Sequence, residues 1–381
     1  MRVGVIGSGA MGSGIAQVAA MAGHEVRVYD AIGRARVSGR DSILASLNKL
    51  AERQKISDVE AKGIFGKIYF TENLDSFADV DIVIEAIIED EAEKKKIFEQ
   101  VEKIVSVTAI IASNTSSISI TSLAKSLDHP SRFIGIHFFN PPVLMKLVEI
   151  IPALQTSHDI VTTCRELITS WGKIVVIAKD TPGFIVNRIA RPFYSEALRI
   201  AEEQLASPAQ IDAAMKAAGF KMGPFELMDY IGNDINLAVT KSVWTAMYFD
   251  PRYKPSHLQE NVVRAGWLGR KTGKGYFDYS ADQAGTEAHP EPSTISDRIL
   301  AMLINEAADA LYLGIASKED IDLAMLHGVN YPKGLIAWAD EIGIENIVIR
   351  IDRLYELYHE DRYRCSAGLR LKALTHQPFF V

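Results

Sequence analysis

Residues 133–150 read FIGIHFFNPPVLMKLVEI and place one histidine and one acid where a proton could be handed over. His137 ends an apolar run. Pro141 and Pro142 follow, and neither can continue a central strand. The chain then turns strand-like again and carries a single acid, Glu149. If residues 133–137 and 146–150 fold back on each other about Val143, His137 and Glu149 come out opposite one another. Opposed residues of an antiparallel pair lie about 5 Å apart. A histidine base needs this: a carboxylate that holds one ring nitrogen so that the other can take a proton. The plainer alternative is a buried histidine satisfied by a turn carbonyl.

The first thirty residues bear on that choice. A short β-branched run, residues 2–6, leads into GSGAMG from Gly7 to Gly12, then into the helix-like SGIAQVAAMAGH. A second strand, residues 25–29, ends at Asp30, 18 residues past the last glycine. A glycine fingerprint between strand and helix, with an acid at that spacing, points to a dinucleotide. Gly7 permits the tight turn, Gly9 lets backbone approach a pyrophosphate, and Gly12 lets helix pack on strand. With Ala10 and Met11 the loop offers the phosphates N–H groups and the positive end of a helix dipole. Asp30 is expected to accept hydrogen bonds from the adenosine ribose and to repel a 2′-phosphate. NAD is therefore favoured over NADP, with Arg34 and Arg36 near enough to temper the preference.

The composition suits a soluble enzyme of two or three domains. The chain has 381 residues, 48% of them hydrophobic, and no apolar run of membrane-spanning length. It opens on a strand, where no secretory signal is expected. Cys164 and Cys365 have neither metal nor redox spacing, so a reducing cytoplasm is the expected compartment. A net charge of −7 argues against nucleic acid as a partner. An anionic ligand would need local basic clusters.

One such cluster interrupts the nucleotide-binding pattern. About fifty residues separate Asp30 from the next strong strand, more than a normal crossover needs. The excess reads as two helices, residues 32–54 and 57–65, and a short strand, 67–70. The first helix carries Arg34, Arg36, Arg40, Lys49 and Arg53, with Lys55 just beyond. Most of these suit a solvated face; the functional reading is a flap that grips a phosphorylated ligand such as coenzyme A. Residues 81–88 (DIVIEAII) read as a buried parallel strand ending at Glu89, and 108–112 as the next, leaving through SNTSS. Ligands of open parallel sheets bind at such strand ends, which singles out Glu89 and Ser116.

A boundary falls near residues 179–182, after a last strand at 173–177. Thr181 reads as a helix cap and Pro182 as the first helical position. A long helix is expected over 182–204, kinked by Pro192, with Asn187 near its start. The remainder repeats itself. NRIARPFYSEALRIAEEQLASPAQIDAAM, from Asn187, matches DRILAMLINEAADALYLGIASKEDIDLAM, from Asp297, at an offset of 110. Glu196 pairs with Glu306 and Asp212 with Asp322. The fold class is therefore α/β: a doubly wound Rossmann-type sheet with a helical insertion over 1–180, then two tandem all-α domains, 181–280 and 295–381, joined by a polar linker. Asn187 becomes Asp297 in the second copy, and a charged carboxylate facing an alkoxide is unfavourable. The GRKTGKGYFDY tail of the first copy, from Gly269, is expected to have no counterpart in the second. The first copy reads as catalytic, the second as structural, and the two are expected to pack on each other as a pseudo-dimer within one chain.

In order along the chain, GSGAMGSGIAQVAA, IEAIIED, SNTSSISIT, GIHFFNPP, MKLVEII, DTPGFIVNR, MGPFELMDYIG and GRKTGKGYFDY resemble the 3-hydroxyacyl-CoA dehydrogenase family. The resemblance implies His137 as catalytic base, Glu149 as its orienting partner, and Ser116 and Asn187 as hydrogen-bond partners of the substrate oxygens. It implies Glu89, Lys94, Asn140 and Lys271 near the nicotinamide half of NAD. Coenzyme A would be gripped from the helical insertion, with Arg53 the nearest match and Lys49 or Lys55 as alternatives. The duplicated C-terminal region is similar to the tandem members, including 3-hydroxyadipyl-CoA dehydrogenases, rather than to the short 3-hydroxybutyryl-CoA enzymes. The implied reaction converts an L-3-hydroxyacyl-CoA to the 3-ketoacyl thioester, on a short-chain or a dicarboxylyl substrate, with no membrane partner and with a homodimer left open. Two other readings stand beside it: a β-hydroxyacid dehydrogenase that uses a lysine on the long helix, where this chain has Asn187 and Arg188, and an NAD-binding scaffold without activity.

Overall fold

The computed structural model describes residues 1–280 and 292–380, and the chain divides into two compact units, Met1–Phe184 and Ile185–Val381.

The first unit is built on eight strands: β1 (Arg2–Ile6), β2 (Glu25–Tyr29), β3 (Ile68–Thr71), β4 (Ile82–Glu85), β5 (Ile110–Ser113), β6 (Phe133–Phe138), β7 (Leu147–Pro152) and β8 (Ile174–Ile177). They form one sheet in the order β3-β2-β1-β4-β5-β6-β7-β8. Every neighbouring pair is parallel except β6–β7, which is antiparallel. Valine and isoleucine dominate β1, β4 and β5 because helices cover both faces of a parallel sheet; Val3, Val5, Ile82, Ile84 and Ile111 are fully buried. The long insertion holds α2 (Gly33–Glu52) and α3 (Asp58–Phe65) ahead of β3, after α1 (Ala10–Met21). Ser57 and Glu60 cap α3 reciprocally. The remaining helices are α4 (Glu91–Ile104), α5 (Ile120–Ala124) and α6 (His158–Ser170). The strand expected over 81–88 ends at Glu85, because the Glu85 carboxylate turns back to accept the Ile87 N–H at 2.6 Å.

The second unit is helical. The helix expected from Pro182 does not begin there. Gly183 and Phe184 both take positive φ (77° and 47°), which no right-handed helix accommodates, and the Phe184 N–H closes a turn on the Thr181 carbonyl instead of meeting a cap. The helix starts as α7 (Val186–Ile189), breaks at Ala190, and resumes as α8 (Arg191–Glu202). Pro192 has no N–H to return to the preceding turn, so an interruption replaces the expected kink. The counterpart of Pro192 is Met302, and α13 (Pro292–Tyr312) runs through unbroken. The linker expected over 280–294 lies mostly outside the described residues, and its last three residues belong to α13.

The repeat is visible element by element. After α8 come α9 (Pro208–Ala217), α10 (Pro224–Ile231), α11 (Asn233–Ala246) and α12 (His257–Arg264); after α13 come α14 (Lys318–Gly328), α15 (Leu335–Ile342), α16 (Ile344–Tyr358) and α17 (Ala367–Thr375). Asp212 accepts the Phe225 and Glu226 N–H groups at 2.9 and 2.8 Å, and Asp322 accepts those of Ile336 and Ala337 at 2.8 and 3.0 Å. The tail does have a counterpart, against expectation. Asp229 accepts the Tyr276 and Phe277 N–H groups, both at 3.0 Å, and Asp340 accepts those of Phe379 and Phe380, both at 2.8 Å. The intervening loop is shorter in the second copy, which hid the match.

The two copies pack against each other across their duplicated long helices. Glu306 accepts Arg188 Nε at 2.6 Å and the Tyr253 hydroxyl at 2.5 Å. Glu196 accepts Arg298 Nε at 2.7 Å and the Tyr363 hydroxyl at 2.8 Å. Each contact maps on the other at the 110-residue offset with the copies exchanged, which is the pattern of an isologous interface. Phe193 and Phe220 meet Tyr331 beside it at ring-centroid distances of 5.7 and 4.9 Å.

Candidate active site

His137 and Glu149 sit directly opposite each other in the β6–β7 ladder. Both residues are buried, His137 at 6% exposure and Glu149 at 0%. His137 Nδ1 lies 2.7 Å from Glu149 Oε2, which leaves Nε2 as the nitrogen free to take a proton. The imidazole packs against Phe139 and Phe184, at ring-centroid distances of 4.5 and 5.9 Å. The turn that brings the two strands together is fastened from below. Lys173 Nζ donates to the carbonyls of Pro142 and Met145 at 2.5 and 2.8 Å, and burial pulls that ammonium down to about 8. From the neighbouring strand exit, Asn114 Oδ1 accepts the Phe138 N–H at 2.8 Å. Neither Lys173 nor Asn114 was singled out from the sequence. The signal for Lys173 was a basic residue opening the apolar run of β8.

Glu89 and Ser116 come together at the ends of β4 and β5. Glu89 Oε1 accepts the Ser116 N–H at 2.8 Å, the Ser116 hydroxyl at 3.2 Å, and the Thr115 and Ser117 hydroxyls at 2.7 and 2.9 Å. Burial alone would raise the Glu89 carboxyl, but the Lys94 charge and these hydrogen bonds hold it below the usual carboxylate range. Lys94 lies beside Glu89. It is 1% exposed, and its ammonium bridges Glu85 Oε1 at 2.5 Å and Glu89 Oε2 at 3.4 Å. Glu85, fully buried, also accepts the Ser113 hydroxyl at 2.7 Å. A buried lysine needs such a partner, and Lys94 ties together the two acids at and just beyond the end of β4. The sequence carried a signal for Glu85, a lone acid within IVIEAII. Asn140 is exposed at the start of the Pro141–Pro142 turn.

The glycine loop fits a dinucleotide. Gly7 has φ 96°, and its N–H bonds the Tyr29 carbonyl at 2.8 Å. A Cβ on Gly12 would stand 1.9 Å from the Gly7 oxygen, so only glycine lets α1 approach β1 this closely. No atom lies within 4 Å of a Cβ built on Gly9, and no side chain caps α1. The first N–H groups of α1, at Ala10 and Met11, are thus left for an anion. Asp30 is oriented by Ser8, whose N–H and hydroxyl both donate to Oδ2 at 2.8 Å. Arg36 is spent on the Asp30 carbonyl and the Glu72 carboxylate, at 2.6 and 2.7 Å, so it does not offset the Asp30 charge toward a 2′-phosphate.

Lys49, in the last turn of α2, and Arg53, which caps that helix, line a cavity of about 340 Å³ with Gln17 of α1 and the Pro142–Leu144 turn. Lys55 is not among its lining residues. In the second unit Asn187 is half-buried on α7, and Lys271 pairs with Asp234 at 2.6 Å.

Comparison with known proteins identifies the family. The family profile of the 3-hydroxyacyl-CoA dehydrogenase NAD-binding domain matches residues 2–181, and that of the C-terminal domain matches twice, at 183–279 and 295–374. The chain is 37% identical to a 3-hydroxyadipyl-CoA dehydrogenase of Escherichia coli, over 99% of this chain and 98% of that one. It is 43% identical to a probable 3-hydroxybutyryl-CoA dehydrogenase of Deinococcus radiodurans, which covers 73% of this chain at its own full length. A crystal structure of 3-hydroxybutyryl-CoA dehydrogenase from E. coli superposes with a TM-score of 0.94 at 36% identity, covering 98% of both chains. The NAD-binding loop, the paired helical copies and these matches from end to end agree, and the chain belongs to the 3-hydroxyacyl-CoA dehydrogenase family, as an enzyme that uses NAD.

Proposed function

We propose that the enzyme interconverts an L-3-hydroxyacyl-CoA and its 3-ketoacyl thioester through His137. The 2.7 Å contact between His137 Nδ1 and Glu149 carries this reading. His137 Nε2 takes the proton of the 3-hydroxyl as the hydride leaves C3. NAD, when bound, accepts that hydride at the nicotinamide. Glu149 fixes the imidazole tautomer and stabilises the imidazolium; general-base catalysis of this kind contributes about 10²–10⁴-fold. Ser116 and Asn187 hold the substrate oxygens, each worth on the order of 3 kcal/mol if it acts as an oxyanion-hole donor does. Gly7, Gly9, Ala10, Met11, Gly12 and Asp30 hold the adenosine and pyrophosphate half of NAD, and Glu89, Lys94, Asn140 and Lys271 attend the nicotinamide half. Lys49 and Arg53 face the coenzyme A phosphates. Domains at 1–180, 181–280 and 295–381 follow, the second catalytic and the third structural. Among the described residues no helix is long and apolar enough to cross a membrane; we place the enzyme in the cytoplasm. A homodimer would need a surface other than the one the helical copies use on each other. The names of the relatives point to a short-chain substrate such as 3-hydroxybutyryl-CoA or a dicarboxylyl one such as 3-hydroxyadipyl-CoA.

Following NADH absorbance with acetoacetyl-CoA tests the activity. His137→Gln is expected to lower turnover at least 10²-fold while NAD titration stays near the unsubstituted value. Turnover retained in that variant would remove His137 from the chemistry.

A further inference from the structure

Arg191 opens α8, one turn beyond Asn187. It is 5% exposed. Its Nε donates to the Asn187 carbonyl at 3.0 Å and its Nη1 to Thr240 Oγ1 at 3.2 Å, and the guanidinium lies 4.8 Å from the Tyr194 ring centroid. Each of the other buried arginines among the described residues faces a carboxylate: Arg132 faces Glu102, Arg199 faces Glu196, and Arg188 and Arg252 face Glu306. Arg191 alone has no carboxylate within ion-pair distance among the described residues, and burial pulls its pKa down. Its two side-chain hydrogen bonds use two of five N–H groups. Nearby, Tyr331 from the second copy is equally buried, and its hydroxyl has no hydrogen-bond partner among the described residues. It lies within electrostatic range of Arg191.

Helix packing does not require this arrangement. The residue 110 positions on is Ala301, fully buried in the unbroken helix α13. A buried cation without a counter-charge is unfavourable, and a buried hydroxyl without a partner adds to the cost. Both are relieved together by one anion.

We infer that Arg191, with the Tyr331 hydroxyl, receives a second carboxylate at the far end of the acyl chain, so that the preferred substrate is a dicarboxylyl thioester of about six carbons. The assignment rests on the reading of Asn187 as a ligand of the substrate oxygen. One helical turn rises about 5.4 Å. Side chains lean toward the helix N-terminus, and the bond from Nε to the Asn187 carbonyl brings the guanidinium over the turn that carries Asn187. From C3 to the terminal carboxyl of a six-carbon chain are three C–C bonds, about 4 Å along the chain, and a charge-assisted hydrogen bond adds about 2.8 Å. A four-carbon chain ends one bond past C3, in a methyl group, and offers this guanidinium nothing.

The test compares kcat/KM for 3-hydroxyadipyl-CoA and 3-hydroxyhexanoyl-CoA, which differ at the far end. The unsubstituted enzyme is expected to favour the diacid at least ~30-fold, and Arg191→Met to reduce that ratio by about 10²-fold. Arg191→Lys should recover part of it, and Tyr331→Phe should reduce it by roughly tenfold. An unchanged ratio in Arg191→Met, or equal loss on both substrates, overturns the assignment. Should Arg191→Met fail to fold, Tyr331→Phe and the unsubstituted enzyme decide, through the ratio and through inhibition by adipyl-CoA against hexanoyl-CoA. Absence of any preference for the diacid overturns it there. Turnover of acetoacetyl-CoA and 3-hydroxyhexanoyl-CoA without that preference removes only the carboxylate receptor; no turnover of any thioester removes the dehydrogenase reading itself.

Discussion

At the residue scale, the consequential fact is which nitrogen of His137 is committed. Glu149 holds Nδ1, and both residues are buried. Glu149→Gln keeps the shape and removes the charge that stabilises an imidazolium. It is expected to lower kcat by about 10²–10⁴-fold with little change in KM, read by steady-state NADH absorbance. A loss confined to KM would mean that Glu149 shapes binding instead. Both residues were legible as types and spacing, because antiparallel pairing converts a symmetric count about a turn into a contact. Lys94 was not legible in the same way. Its ion pair is with Glu85, nine residues earlier at the end of another element, and only the fold brings that ammonium and carboxylate together.

At the scale of elements, the β6–β7 register and the glycine loop followed from local rules, and the start of α7 did not. The strand register is set by hydrophobic alternation and by the turn, both written in the sequence. The start of α7 depends on Gly183 and Phe184 taking left-handed conformations, which nothing in DTPGF dictates, since Pro182 is equally at home at a helix start. The second tail was missed for a related reason: a shortened loop broke the sequence offset, while the Asp340 carboxylate still collects the same pair of N–H groups. The glycine loop leaves the least room of these elements. Gly12→Ala would set a methyl group against the Gly7 oxygen, forcing α1 away from β1. It is expected to weaken NAD binding by tenfold or more, read by quenching of protein fluorescence on NAD titration. Unaltered affinity would mean that the helix start does not contact the cofactor.

At the scale of the whole molecule, the two helical copies share one buried network of charges. Glu196 and Glu306 are completely buried. Burial alone would raise their carboxyls, but Arg199 and Arg298 around the first, and Arg252 and Arg188 around the second, hold both below the ordinary range. Carboxyls depressed in the folded state contribute stability above the unfolded value, near pH 4.3, and lose it as pH falls through their folded values. Among the described residues, Glu306→Ala leaves Arg188 and Arg252 only the Asp309 carboxylate, at 3.1 and 3.2 Å. It should cost about 3 kcal/mol in urea unfolding followed by circular dichroism. The variant should also lose stability less steeply than the unsubstituted enzyme below pH ~4.3. A change under 1 kcal/mol would show that the network is dispensable.

The same swapped contacts have a consequence for how the helical half responds to dilution. Two separate subunits joined by such a face would part as their concentration falls, and their melting temperature would track how much protein is in the tube. Here both partners ride on one polypeptide, so the encounter is unimolecular and its effective concentration is fixed by the tether. The pairing of α8 with α13 should therefore survive at nanomolar enzyme as it does at micromolar.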